Sequence, residues 1–350
     1  MPSRTEDVPR SLSESINDAT RSVHTKLNKL VISRLRLALP PQADDASQYV
    51  SGLLQVAPIY ITFESLWGMV LESLEPPEKH DPKRGVPNGA KNDPVEPQLD
   101  ERSGTHRPFS ASPRIKSLLT NLHFEGLQRS QALKNDLTSL TGWSGRTLAE
   151  QLNDSSESPV LSDFLAHTRN SVETSPHTLL AYGWVLYMAL FSGGRFIRAS
   201  LEDVYPAFWV PASAQRPMPA TLANATSMET QPLSFFRFDT PEDGEDLKLE
   251  FKKRFLDSEG VLTETEREEI VQEARCIFDY MIQLVDELDD ICEEDKEDAE
   301  ARLLSLRSRD SVVVENERRQ HSVETSRRSA VKGETERSLK EDGEGHVKFK

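Results

Sequence analysis

The chain has 350 residues, 36% of them hydrophobic and 29% charged, with a formal net charge of −16. That supports a sizeable apolar core in one large domain or two small ones, and it argues against nucleic acid as the main partner, which would require a basic face. Two cysteines, Cys276 and Cys292, fall far apart along one predicted helix and cannot form a disulfide framework. The N-terminus lacks an apolar signal core, and no run approaches 18 uninterrupted apolar residues. A soluble, cytoplasmic monomer with no transmembrane segment is expected.

The first predicted helix covers about 12–37. Ser11 and Glu14 form a capping box, and Leu12, Ile16, Ala19, Val23, Leu27 and Leu30 recur at steps of three and four. His24 lies at the edge of that stripe. It is either a half-buried histidine with a satisfied hydrogen bond or an axial ligand to a haem iron, and Asn28 one turn later is placed to orient it. A second helix is predicted from about 46 to 74. Residues 75–113 turn rich in Pro, Gly, Asn and charge and read as a disordered insert. Helical patterning returns at 114–141 and near 145–169.

Ser175 can cap the next helix and Pro176 suits its first position. Its apolar pattern continues past Ser192-Gly193-Gly194 to Leu201. Each interior glycine costs a helix about 1 kcal/mol relative to Ala, so the pair marks either a bend where another helix packs or a close approach to bare backbone. Residues 206–232 read as a connection and Leu233-Ser-Phe-Phe-Arg-Phe as a packed stretch. A short basic helix from Asp246 to Leu256 then carries Lys248, Lys252, Lys253 and Arg254. Lys248 and Lys252 share a face that could clamp paired carboxylates or simply be solvated.

Thr263 and Glu266 form a second capping box. The helix it opens has an expected buried face of Ile270, Ala274, Ile277, Phe278, Met281, Leu284, Val285 and Leu288. Asp289-Asp290-x-x-Glu293 resembles a magnesium-binding carboxylate cluster, but no second such cluster faces it, and acid at a helix C-terminus opposes the macrodipole. Beyond about 293 mixed charges dominate and the chain reads as a disordered tail. Residues 1–10 read as a flexible N-terminus, and 11–292 as a single all-α domain. No nucleophile elbow, P-loop or zinc spacing is present.

Three separated signals share one resemblance. Ser13-Glu14-x-x-x-x-Ala19-Thr20-x-x-Val23-His24-Thr25 resembles the opening helix of the haem oxygenases. Leu127-x-Arg129-x-x-Ala132-Leu133-x-x-Asp136-Leu137 is similar to that family's middle helix. Tyr187-x-x-x-x-Ser192-Gly193-Gly194 is similar to its kinked distal helix, and the Phe-rich stretch, the basic helix and Glu273-Ala274-x-x-x-Phe278 follow in the same order.

The resemblance implies an all-α fold with haem between the first helix and the Gly-Gly helix. It implies His24 as the proximal iron ligand and Ser192, Gly193 and Gly194 as the distal wall, lined by Tyr187. Lys248, Lys252 and Arg21 would stand near the propionates, with Phe278 at the cofactor. It also implies haem b as substrate and cofactor, O₂, electrons from an NADPH-dependent reductase, and biliverdin, CO and Fe²⁺ as products. The chain departs from the family where the distal motif carries an aspartate that orders water. Leu190 stands there and offers no hydrogen-bonding atom. A non-catalytic haem-binding or haem-sensing protein on the same fold is the second reading.

Overall fold

The structure is a computed structural model that describes residues 10–73, 111–211 and 231–293. Two compact units emerge, Met1–Leu288 and Asp289–Lys350. Helices joined by short turns make up the described residues of the first, and no strand occurs among them. Most of the predicted insert, most of the 206–232 connection and the charged tail lie outside the described residues; the insert's last residues are not loose, since Ala111 is buried, Ser112 caps the next helix and Pro113 opens it.

Helix α1 spans Leu12–Leu37 and opens with the expected box: Ser11 Oγ accepts from Glu14 N, while Ser11 N donates to Glu14. Helix α2, Ser47–Glu72, runs through Pro58 and is the central element, packed against α3 (Pro113–Leu122), α4 (Ser130–Thr141), α5 (Gly145–Ser156) and α6 (Pro159–Thr174). Among the described residues α2 is also the one helix long and apolar enough to cross a membrane, yet 61% of that apolar window is buried inside the protein. It is a core helix by packing.

The two long helical runs expected at 114–141 and 145–169 are each divided. Gly126, at φ +90°, turns the chain between α3 and α4, and Gly142, at φ +70°, ends α4 in the left-handed conformation. Pro159 opens α6 at its first turn.

The segment from Pro176 to Glu202 departs most from a regular helix. A short 3₁₀ turn, Pro176–Thr178, leads into α7, Leu179–Tyr182. Two widened π turns follow, Gly183–Tyr187 and Leu190–Gly194, before α8, Arg195–Glu202. Ser175 makes no cap; its hydroxyl donates to Glu269 instead. The expected bend at Gly193-Gly194 is thus a pair of local expansions, with both glycines in the ordinary right-handed region.

Helix α9 spans Glu245–Ser258 and α10 runs over 264–293, opened by the Thr263–Glu266 capping box. Its buried stripe is the expected one, except that Ile282 is buried while Met281 and Leu288 are only half-buried. Neither Cys276 nor Cys292 is in a disulfide.

Candidate functional site

Two of the recognised motifs turn out to hold each other. Arg129 is buried, with Nε on the Leu127 and Gln128 carbonyls and its two terminal nitrogens on Gly126 and Arg237 carbonyls; its guanidinium lies 4.3 Å over the Phe238 ring. Burial holds its pKa below the usual value. Asp136 accepts the backbone N–H groups of Ser234 and Phe235, and burial raises its carboxyl against the pull of those two bonds. The middle-helix motif therefore anchors the Phe-rich turn, a structural task. Leu233, Phe235, Phe236 and Phe238 are all buried as expected.

Glu64 on α2 was not singled out by its sequence context. It accepts from the backbone N–H groups of Arg129 and Ser130 at 2.7 and 3.0 Å, so it caps α4 from another helix, and it also receives the Ser130 hydroxyl. Tyr187 donates to the same carboxylate at 3.2 Å and packs against Phe63 and Phe251. Burial, then the Glu64 charge, drives its phenol well above the ordinary value. Tyr187 thus faces the interior of the bundle rather than a wall open to a ligand.

The open faces lie elsewhere. On α1, Arg21, His24 and Asn28 recur at helical spacing and are exposed. Asn28 Nδ2 donates to His24 Nε2 at 3.3 Å, and the imidazole meets Phe278 of α10 edge-on with centroids 5.6 Å apart. Arg21 is paired with Asp18. Seven residues before His24, and so on the same face, Asn17 accepts from the Trp184 indole at 3.4 Å. This bond ties α1 to the segment that carries the glycines.

On that segment Ala189, Ser192, Gly193 and Phe196 are exposed, Phe196 at 59%. A Cβ at Gly193 would meet nothing within 4 Å. Gly194 is different: it is buried, and a Cβ there would stand 3.3 Å from Phe236 and 3.5 Å from Leu190. Of the two glycines, only Gly193 presents bare backbone outward. Leu190 is buried and turned inward against Gly194.

Helix α9 backs this segment through Phe255, 4.6 Å from Trp184, and Phe251, 5.9 Å from Tyr187. Lys252 stands one turn before Phe255 and is exposed; Lys248 stands one turn before Phe251, half-buried and paired with Glu245 at 3.3 Å. The basic cluster divides here. Arg254 turns the other way, to Glu250, the Asn121 carbonyl and the Phe124 ring.

The residues fit a flat, anionic macrocycle with a metal centre. An exposed imidazole backed by an aromatic edge, a bare-backbone position with open space over it, and two ammonium groups on the helix behind supply the donor set such a group requires.

Comparisons with known proteins bear on the family and the fold. The family model described as Heme oxygenase matches residues 111–287. Helices α3 to α10 lie within or across that span, and the chain belongs to the haem oxygenase family. It is 26% identical over 290 residues to the heme-binding protein HMX1 of Saccharomyces cerevisiae, covering 80% of this chain and 76% of that protein. In fold it is similar to heme oxygenase 2 of Chlamydomonas reinhardtii, with a TM-score of 0.53 and 18% identity over 79% of this chain and 97% of the other. It is also similar to heme oxygenase-2 of Synechocystis solved with heme and NO, at a TM-score of 0.52 and 16% identity over 82% and 88% of the two chains.

Proposed function

We propose that this chain takes up haem between α1 and the Gly193 face and cleaves it oxidatively to biliverdin, CO and Fe²⁺, using O₂ and electrons from a reductase. The observations that carry the reading are the exposed, Phe278-backed imidazole of His24, the bare backbone of Gly193, and the Trp184–Asn17 hydrogen bond that ties their two elements together. When bound, haem supplies the iron at which O₂ is reduced and is itself the carbon skeleton oxidised.

The chain's own residues perform binding and orientation. His24 Nε2, now facing the Asn28 amide, would hold the iron, and Phe278 meets the imidazole edge-on and would orient it. Gly193 and Ser192 let the distal backbone approach the ligand plane, where any larger side chain would intervene. Lys252, with Lys248 released from Glu245, neutralises carboxylates at the edge of the site. Asn17, by fixing Trp184, positions the distal segment relative to α1.

Leu190 supports a second reading, haem binding without turnover. It is buried and apolar, so it holds no water that could carry a proton to the distal side. The name of the yeast relative, a heme-binding protein, is consistent with either reading.

Titration of the purified chain with haemin tests the common step, and a shifted Soret band lost or weakened at least about tenfold in His24→Ala is expected. Adding an electron donor and O₂ separates the readings. Conversion of the Soret band to a bile-pigment spectrum supports degradation, whereas a Soret band that survives those conditions leaves binding alone.

A further inference from the structure

A second cluster of ligand atoms lies away from the haem face. His167 of α6 and Glu273 and Cys276 of α10 each offer one donor atom, and the three atoms lie within 4.8 Å of one another. Glu273 and Cys276 are three residues apart, one turn of α10, so one helix face presents both. His167 reaches them from the neighbouring helix with Nε2 at 3.0 Å from Glu273 Oε1. We propose that these three residues form a metal site for a borderline divalent cation of the zinc class, with a solvent-accessible fourth position.

The donor set argues for that class. One imidazole nitrogen, one carboxylate oxygen and one thiolate sulfur suit Zn²⁺ and its neighbours, and exclude Mg²⁺ and Ca²⁺, which require oxygen ligands. Spacing agrees. Bonds of about 2.0–2.2 Å around a tetrahedral centre put two N/O ligands about 3.3 Å apart, and somewhat more where sulfur is one of the pair. The present 3.0 Å separation and the 4.8 Å limit on the set reach that arrangement by side-chain rotation alone.

The surroundings are those of a supported site. The Tyr182 hydroxyl donates to Glu273 at 2.6 Å, which fixes the carboxylate from outside, and the His167 ring rests against Tyr280 with centroids 5.4 Å apart. Such outer partners hold ligand orientation in metal centres. Glu273 is buried, whereas the His167 side chain is 29% exposed, so the open coordination position faces solvent and admits the ion. Cys276 takes only a long 3.7 Å contact from the Gln272 amide, which metal binding displaces as the thiol releases its proton to solvent. Occupied, the site would fasten α6 to α10 and, through Tyr182, to the first turn of the segment that carries Gly193.

Co²⁺ alone, titrated into the full haem-free chain, tests this. The expected result is a one-to-one complex with a near-ultraviolet thiolate-to-cobalt charge-transfer band, displaced by Zn²⁺, unchanged in Cys292→Ser and absent in Cys276→Ser. His167→Ala should weaken binding about tenfold or more. Zn²⁺ should also slow alkylation of Cys276 in the unaltered chain, a readout that needs no variant. Haem uptake through His24 should be the same in all of these proteins, so failure here is distinct from failure of the haem assignment. A chain that binds Co²⁺ without the band, or keeps it in Cys276→Ser, or shows Cys276 alkylated at the same rate with and without Zn²⁺, overturns the site and leaves an ordinary His167–Glu273 hydrogen bond.

Discussion

Asp136 accepts the backbone N–H groups of Ser234 and Phe235, each at 2.8 Å, across nearly a hundred residues of chain. One carboxylate thereby fixes the turn from which Phe236 and Phe238 back the distal segment. Phe236 lies against Gly194 and Phe238 stacks on Phe191 at 4.7 Å. The position of Gly193 thus depends on a side chain three helices earlier in sequence.

Asp136→Ala leaves one buried and one part-buried amide proton without an acceptor, at up to about 1–3 kcal/mol each. The loss is offset in part because a buried carboxylate no longer has to be kept ionised. A net destabilisation of about 2–4 kcal/mol is expected in urea unfolding, accompanied by weaker haem uptake although Asp136 touches no part of the haem face.

The glycines of the distal segment should respond in opposite ways. Gly183 backs onto the indole of Trp67, where a Cβ would stand at 3.0 Å, so Gly183→Ala should lower Tm. Gly193 has open space, and alanine there should hold or raise stability by up to about 1 kcal/mol through helix propensity. Gly193→Leu should keep Tm yet weaken haem binding by at least about tenfold, because the side chain would occupy the ligand's plane. Soret titrations alongside thermal melts measure both effects.

Acid stability should reflect the pair that clamps α3 to α10. Arg114 meets both oxygens of Glu266, which holds the Glu266 carboxyl down at about 2. A folded-state value below the unfolded one gives stabilisation that is complete above the unfolded pKa, near 4.3, and is lost as pH falls through about 2. Thermal melts between pH 5 and 2 should therefore show a steeper decline in the unaltered chain than in Glu266→Gln.

Leu190→Asp places a carboxylate where the side chain is buried beside Gly194 and Phe236. Without a partner there the charge is costly, and a destabilisation of about 2–4 kcal/mol is expected in the haem-free chain, relieved at acid pH as the group protonates. A denaturant midpoint unchanged at pH 7 would mean that the side chain turns outward to water.

The fold was readable to a large degree because its long helices carry strong local marks. The Ser11–Glu14 and Thr263–Glu266 boxes form as expected, and the apolar stripes of α1 and α10 are buried much as their spacing indicates. Breaks within 114–141 and 145–169 were harder, since an apolar period of three to four continues across Gly126 and Pro159 even where the backbone turns. Around the site, the position of His24 at the edge of the α1 stripe was legible locally, while Arg21 and the family came from the ordered motifs.

Orientation in the distal segment could not be read that way. The resemblance implied that Tyr187 lines the ligand wall, but within the π turn at Gly183–Tyr187 it is buried and donates to Glu64. The Glu64 cap also left no local mark, because its partners lie more than sixty residues away.

Each π turn accommodates one residue more than the α-helical turn it replaces, and a residue subtends about 100° of helix. The stretch Gly183–Tyr187 therefore acts as a phase setter for everything after it. Removal of a single residue there would let the stretch close to an ordinary α turn with Gly193 kept at its present phase, whereas the same removal from a regular α turn would swing Gly193 by roughly a quarter-turn. What the chain exposes to a ligand is governed by a count of residues upstream as much as by the glycine itself.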